Sequence, residues 1–234
     1  MSYIISSFYG RISLLLNEFE AISLDPQTFK GTTTIGLACR DGIVFATDKR
    51  ASWGGFIASK RAQKSFNINE TVGATVAGSV GDAEYVMRLI QAEASLYEVN
   101  NGEKMSAQSI SVLLSNILQG NKIFPYLVQL LIGGYDGGES RLYTLDPVGG
   151  LIEEKMAATG SGSPMAYGVL EREYSEDKSV EENIPVALRA LKSALDRDSH
   201  TGDGMELVTI TKDGFRRFGE KEVEEHLGKA LAAR

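Results

Sequence analysis

The chain has a single cysteine, Cys39, so no disulfide can close within it, which is compatible with a reducing cytoplasm. Histidine is almost as scarce. His200 and His226 are far apart, and with one thiol they make no visible zinc-ligand set. Positive charge is also short: 24 Lys and Arg stand against 31 Asp and Glu, a formal net charge of −7. That argues against nucleic-acid binding, which needs a basic face. No stretch approaches the ~20 apolar residues of a membrane span. The first residues make a poor export signal, because Arg11 falls mid-segment and Ser6, Ser7 and Ser13 interrupt the apolar positions. Internal repeats and low-complexity tracts are lacking too. Neither a metal nor a cofactor is expected, and no nucleic-acid or membrane partner.

What is present suits one large globular domain. Of 234 residues, 43% are hydrophobic and 24% charged, enough to bury a substantial core. Strand-like patterning begins at Thr32. The run Thr34–Cys39 leads through Asp41-Gly42, a hairpin dipeptide, into Ile43–Thr47. Gly54-Gly55 marks a loop. Further strands are expected at Ile57–Asn67, Thr71–Ala77, Tyr126–Tyr135, Arg141–Leu145, Leu151–Ala157 and Met205–Thr211. Helical spacing predicts Ala83–Val99, with Asp82 as N-cap, then Ser106–Leu118, Pro164–Tyr174, Val180–Leu195 and Glu220–Ala233. Strand runs alternate with paired helices, which fits stacked antiparallel sheets flanked by helices better than a doubly wound parallel sheet.

The chemistry centres on Gly31-Thr32-Thr33-Thr34. A threonine hydroxyl is a poor nucleophile until a base takes its proton. A free α-amine, with a pKa of roughly 7.7–8.0, can do so near neutrality, whereas a lysine near ~10.4 is protonated there. Thr32 acquires such an amine only if the chain is cut after Gly31. Residues 1–31 would then be a propeptide and 32–234 the catalytic domain.

Six segments in order carry a resemblance: Gly31-Thr32-Thr33-Thr34; Ala46-Thr47-Asp48-Lys49-Arg50-Ala51-Ser52; Lys64; Ala77-Gly78-Ser79-Val80-Gly81-Asp82; Thr159-Gly160-Ser161-Gly162-Ser163; and Arg197-Asp198-Ser199-His200-Thr201-Gly202. Together they resemble the β subunits of the proteasome core particle, most closely the archaeal form. The resemblance implies an α+β, four-layer αββα sandwich, the N-terminal-nucleophile hydrolase fold. It also implies a threonine endopeptidase that degrades unfolded proteins inside a barrel-shaped, cytoplasmic assembly. Identical β subunits would form a heptameric ring stacked against α-subunit rings, with polypeptide substrates fed in by a regulatory ATPase.

By the same resemblance Thr32 is the nucleophile and Gly31-Thr32 the self-processing site. Lys64 favours the alkoxide by its charge, and Asp48 pairs with it. Ser161 and Asp198 hold the terminal amine and its water. Thr201 stands where the family usually has serine. The Gly78 N–H serves the oxyanion, Ser52 and Val80 offer main-chain groups to an extended substrate, and Ala51, Ala62, Phe66 and Val76 line the pocket before the cut. That lining predicts cleavage after hydrophobic residues, with Glu84 read as a helix-surface carboxylate that could instead attract Lys or Arg. In the uncleaved chain Gly31 is expected in a tight turn with its carbonyl presented to Thr32 Oγ1 and the Asp48–Lys64 pair already formed. The competing readings are a non-catalytic structural ring subunit, an amidase of the same fold, and the bacterial proteasome-like ATP-dependent peptidase. Gly31-Thr32, Asp48 and Lys64 disfavour the first, and Ala46–Arg50 fits the proteasomal pattern better than the last.

Overall fold

The computed structural model describes residues 31–53 and 55–232. The first 30 residues of the expected propeptide, Gly54 of the expected loop, and Ala233 lie outside the described residues. The element order is β1 (Thr33–Cys39), β2 (Gly42–Asp48), β3 (Ala51–Trp53), β4 (Phe56–Ser59), β5 (Ser65–Asn69), β6 (Val72–Gly78), α1 (Val80–Asn101), α2 (Ala107–Gly120), β7 (Val128–Asp136), β8 (Glu139–Leu145), β9 (Leu151–Glu154), β10 (Met156–Gly160), α3 (Ser163–Glu173), α4 (Val180–Leu195), β11 (Met205–Thr211), β12 (Gly214–Arg217) and α5 (Glu220–Ala232).

Two five-stranded antiparallel sheets, ordered β10-β1-β2-β11-β12 and β5-β6-β7-β8-β9, stack face to face. The pair β3–β4 forms a separate hairpin. Side chains alternate across each strand, and the inner strands bury both faces. On β1 and β2, Ile35, Leu37, Val44 and Ala46 turn towards α3, α4 and α5, packing with Ile184, Leu188 and Leu191. Ala38, Ile43 and Phe45 turn inward and meet Leu131, Leu142, Val208 and Ile210 between the sheets. On the other side Val72, Ala74, Val76, Leu130 and Ile132 pack under Val86, Ile90, Ile110 and Leu114 of α1 and α2. The result is the four-layer αββα sandwich. Each fully buried side chain of this size contributes roughly 1.5–3 kcal/mol.

Local signals explain several boundaries. Ser179 caps α4 in a reciprocal capping box with Glu182, and α4 and β11 have the bounds the sequence predicts. The expected strand Ile57–Asn67 is instead two, β4 and β5, joined by a bend that leaves Lys64 just ahead of β5. The expected strand Leu151–Ala157 also divides, because β9 pairs with β8 of one sheet and β10 with β1 of the other. Lys155 lies at the crossing, its carbonyl accepting from Ala38 N at 2.8 Å. Asp82 is no N-cap. Ser79 holds that position, and the Asp82 carboxylate, one turn in, accepts from Leu127 N at 2.9 Å. The β1–β2 turn is Arg40-Asp41, and Gly42 is already in the strand, where a Cβ would fall 2.2 Å from the Ile210 carbonyl oxygen. Neighbour-strand contact makes glycine fit there. The short strands β3 and β12 have no counterpart in the sequence reading.

Candidate active site

Five segments converge at one end of the sandwich. The β1–β2 hairpin pairs Thr34 with Thr47, which brings the start of β1 beside Asp48 at the end of β2. Strand β10 pairs Thr33 with Gly160 and so delivers Ser161 to the same place. The loop after α4 brings Asp198 and Thr201, and the bend before β5 brings Lys64.

Asp48 is fully buried and accepts four hydrogen bonds. Lys64 Nζ at 2.5 Å and Thr33 N at 2.9 Å reach Oδ1, and Arg50 N at 3.1 Å and Gly202 N at 3.0 Å reach Oδ2. A carboxylate so surrounded is fixed in orientation. It holds Lys64, itself buried. Burial pushes the Lys64 ammonium below its ordinary pKa, opposed by the charge and hydrogen bond of Asp48 and by the charge of Asp198. Burial outweighs the pair, so the ammonium is held less firmly than in water.

Thr32 is buried, and its hydroxyl donates to the carbonyl oxygen of Gly31. The side chain is therefore turned towards the peptide group it is expected to attack. Gly31 lies against β3: a Cβ on it would sit 2.0 Å from Ser52 Oγ and 3.5 Å from Ser52 N. Steric fit, more than turn geometry, makes glycine suit this place. Ser161 Oγ donates to Asp198 Oδ2 at 2.5 Å and lies 3.4 Å from the Thr32 carbonyl oxygen. Thr201 Oγ1 donates to the same Asp198 oxygen at 2.6 Å and meets Thr33 Oγ1 at 2.7 Å. The extra methyl of Thr201 thus leaves its hydroxyl engaged.

A cavity of about 530 Å³ opens in front of Thr32. Its lining includes Gly31, Thr32 and Lys64 together with Ala51, Ser52, Ala62, Phe66, Val76, Gly78 and Val80, so every expected substrate-side residue borders it. Gly78 has φ +132°, and a Cβ there would lie 2.0 Å from the Leu127 carbonyl oxygen, a conformation and a space open to glycine alone. Glu84 reaches the cavity edge but pairs with Arg88 on its own helix at 3.4 Å, both side chains largely exposed. Arg61 is also at the rim.

Sequence reasoning missed three contributors. Thr33 anchors Asp48 through its amide and Thr201 through its hydroxyl. Arg50 clasps the 199–203 loop, bonding Asp203 Oδ2 at 2.7 Å and the Ser199 carbonyl at 2.8 Å. His200 Nδ1 is hydrogen-bonded to Ser52 Oγ at 3.2 Å. All three sit inside the motifs quoted above, but apart from the Thr33–Asp48 bond, which spans 15 positions, their contacts cross 148 to 168 positions of chain, which spacing alone does not reveal.

This sandwich, with a threonine at the head of an inner strand, is the N-terminal-nucleophile hydrolase fold. The sequence profile of the family described as proteasome subunit matches residues 28–210. The chain is 52% identical over 205 residues to the proteasome subunit beta of Methanocaldococcus fervens, covering 87% of this chain and 92% of that protein. It is 48% identical over 204 residues to that of Methanothermobacter thermautotrophicus (87% and 97%), and 49% identical over 207 residues to that of Archaeoglobus fulgidus (88% and 97%). The chain belongs to the proteasome subunit family. Among the described residues no helix is long and apolar enough to cross a membrane.

Proposed function

We propose that this chain is a catalytic β subunit of a proteasome core, a threonine endopeptidase that frees its own nucleophile by cleaving Gly31–Thr32. The observation that carries this reading is the Thr32 hydroxyl resting on the Gly31 carbonyl, in a cavity that Lys64, held from behind by the buried Asp48, also borders. In the uncleaved chain the Thr32 nitrogen is an amide without a basic lone pair. Attack of Oγ1 on the Gly31 carbonyl carbon forms an ester as the C–N bond breaks, and the hydroxyl proton ends on the departing nitrogen. Water then hydrolyses the ester, releasing residues 1–31 as a carboxylate and restoring the hydroxyl beside a free amine. That amine becomes the base for later turnovers.

Lys64 stabilises the developing alkoxide by charge, and Asp48 keeps the lysine placed. Ser161, Asp198 and Thr201 hold the new amine. The Gly78 N–H faces the oxyanion, and a donor of that kind contributes about 2.7–4 kcal/mol in the transition state. Substrate adds as an extended strand beside Ser52 and Val80. Its side chain before the cut enters the space lined by Ala51, Ala62, Phe66 and Val76, which favours hydrophobic residues. The names of the relatives support assembly with further subunits, here read as a heptameric β ring against α rings in the cytoplasm, served by a regulatory ATPase.

Intact mass of the assembled protein tests the reading. The wild-type chain should lose residues 1–31, whereas Thr32→Ala should keep them and turn over no fluorogenic peptide. A Thr32→Ala chain that still matures would mean that another protease does the cutting.

A further inference from the structure

We infer that His200 and Ser52 form a steric filter that admits only glycine at position 31 during self-processing. This rests on the self-cleavage reading above and names the residues that set its specificity.

Two observations combine. A Cβ on Gly31 would overlap Ser52 Oγ at 2.0 Å, with Ser52 Cβ at 3.3 Å and Ser52 N at 3.5 Å. Of these contacts the hydroxyl oxygen alone is severe. A serine hydroxyl normally escapes such a contact by turning to another staggered rotamer. Here it is bonded to His200 Nδ1 at 3.2 Å, so turning away costs a hydrogen bond. His200 is in turn held by its own backbone, its amide donating to Asp198 Oδ1 at 3.2 Å. Asp198 also takes the hydroxyls of Ser161 and Thr201. The filter is thus fastened to the group that will receive the new terminal amine. His200 acts through Ser52 and is a positioning residue.

The consequence is specific. Gly31→Ala forces the Ser52 hydroxyl off its partner or shifts Gly31 away from β3, and either displaces the carbonyl from Thr32 Oγ1. Removing His200 frees the hydroxyl to rotate and restores room. Removing the hydroxyl leaves a Cβ–Cβ contact near 3.3 Å, tight but relieved by a shift of a few tenths of an ångström.

The test follows propeptide loss in the full chain by intact-mass time course. Gly31→Ala should process at least about tenfold more slowly than wild type. Adding His200→Ala or Ser52→Ala to Gly31→Ala should each recover about fivefold or more, roughly the factor carried by one neutral hydrogen bond. Adding His200→Asn, whose amide sits where Nδ1 sits, should keep the block, which a merely space-filling role for the imidazole does not predict. Two independent ways of unpinning the hydroxyl keep the test decisive if one variant misfolds. Gly31→Ala processing at the wild-type rate overturns the filter, as does a block that neither second substitution relieves, or relief by His200→Asn equal to that by His200→Ala. Thr32→Ala runs alongside: maturation there sinks the self-cleavage reading itself, whereas failure of the filter leaves that control inert.

Discussion

Asp48→Asn keeps the size of a buried side chain and removes its charge and one of its two acceptor oxygens. The native carboxylate receives Thr33 N and Lys64 Nζ on one oxygen and Arg50 N and Gly202 N on the other. An asparagine offers one oxygen and one NH2, so whichever way it is flipped two donors face another donor. Each buried donor left unpaired costs about 1–3 kcal/mol, and stripping a buried lysine of its counter-charge costs about 3–5 kcal/mol. These overlap, and a loss of about 4 kcal/mol is expected, a large part of the about 5–15 kcal/mol that separates folded from unfolded domains. At about 2–4 °C per kcal/mol for a chain of this size, the melting temperature should fall by about 8–16 °C. The measurement is a thermal melt of the full chain carrying Thr32→Ala, which removes processing as a variable. The pH dependence has a definite sign. Burial already holds the Lys64 pKa below its unfolded value of about 10.4, and without the carboxylate it falls further. Between the folded and unfolded values the unfolded chain binds more protons, so stability rises with pH. The variant should therefore begin to gain stability at lower pH than the parent and recover part of its deficit as pH approaches 10. A melting temperature within about 2 °C of the parent, with an unchanged pH profile, would refute the view that this pair is a desolvated, mutually dependent unit.

Lys64→Ala should abolish peptide turnover, and Lys64→Arg should rescue it poorly because a planar fork does not fit a site shaped around one ammonium. Substantial fluorogenic-peptide cleavage by the alanine variant would remove Lys64 from the mechanism. Cys39 is buried, and desolvation pushes its thiol up to about 12. It should resist thiol reagents in native buffer and react promptly in denaturant, as followed by mass. Gly133→Ala would place a Cβ 2.8 Å from Phe45 Cζ and 2.9 Å from Ile43 Cγ2 between the sheets. Overpacking there should cost about 1–3 kcal/mol, measurable as a shift in urea midpoint. Thr75 Oγ1 donates across the sandwich to Thr34 Oγ1 at 3.0 Å, which meets Thr159 Oγ1 at 2.7 Å. Thr34 keeps its bond to Thr159, so Thr75→Val loses one buried hydrogen bond and should destabilise by about 0.5–1.5 kcal/mol despite its similar shape.

The sequence by itself determined the features that depend on near neighbours. A capping box marks the start of α4, and an unbroken apolar run with its turn marks the β1–β2 hairpin. Gly31, Thr32, Ala51, Ser52, Lys64, Gly78 and Val80, which border the Thr32 cavity, were legible because they sit in the quoted motifs, whereas Ala62, Phe66 and Val76 lie outside them and were named through the family resemblance alone. Tertiary structure decided what depends on partners far along the chain. Leu151–Ala157 reads as one strand because its composition is strand-like throughout. Only the exposed edges of β8 and β1 divide it, each supplying the backbone donors and acceptors that one half must satisfy. Asp82 looks like a cap until Leu127 N claims its carboxylate. His200 stood in a quoted motif with no task, since its bond to Ser52 spans 148 residues. Hydrogen bonds are made by atoms within about 3 Å of each other, and sequence order is silent about that distance once the chain has folded back on itself.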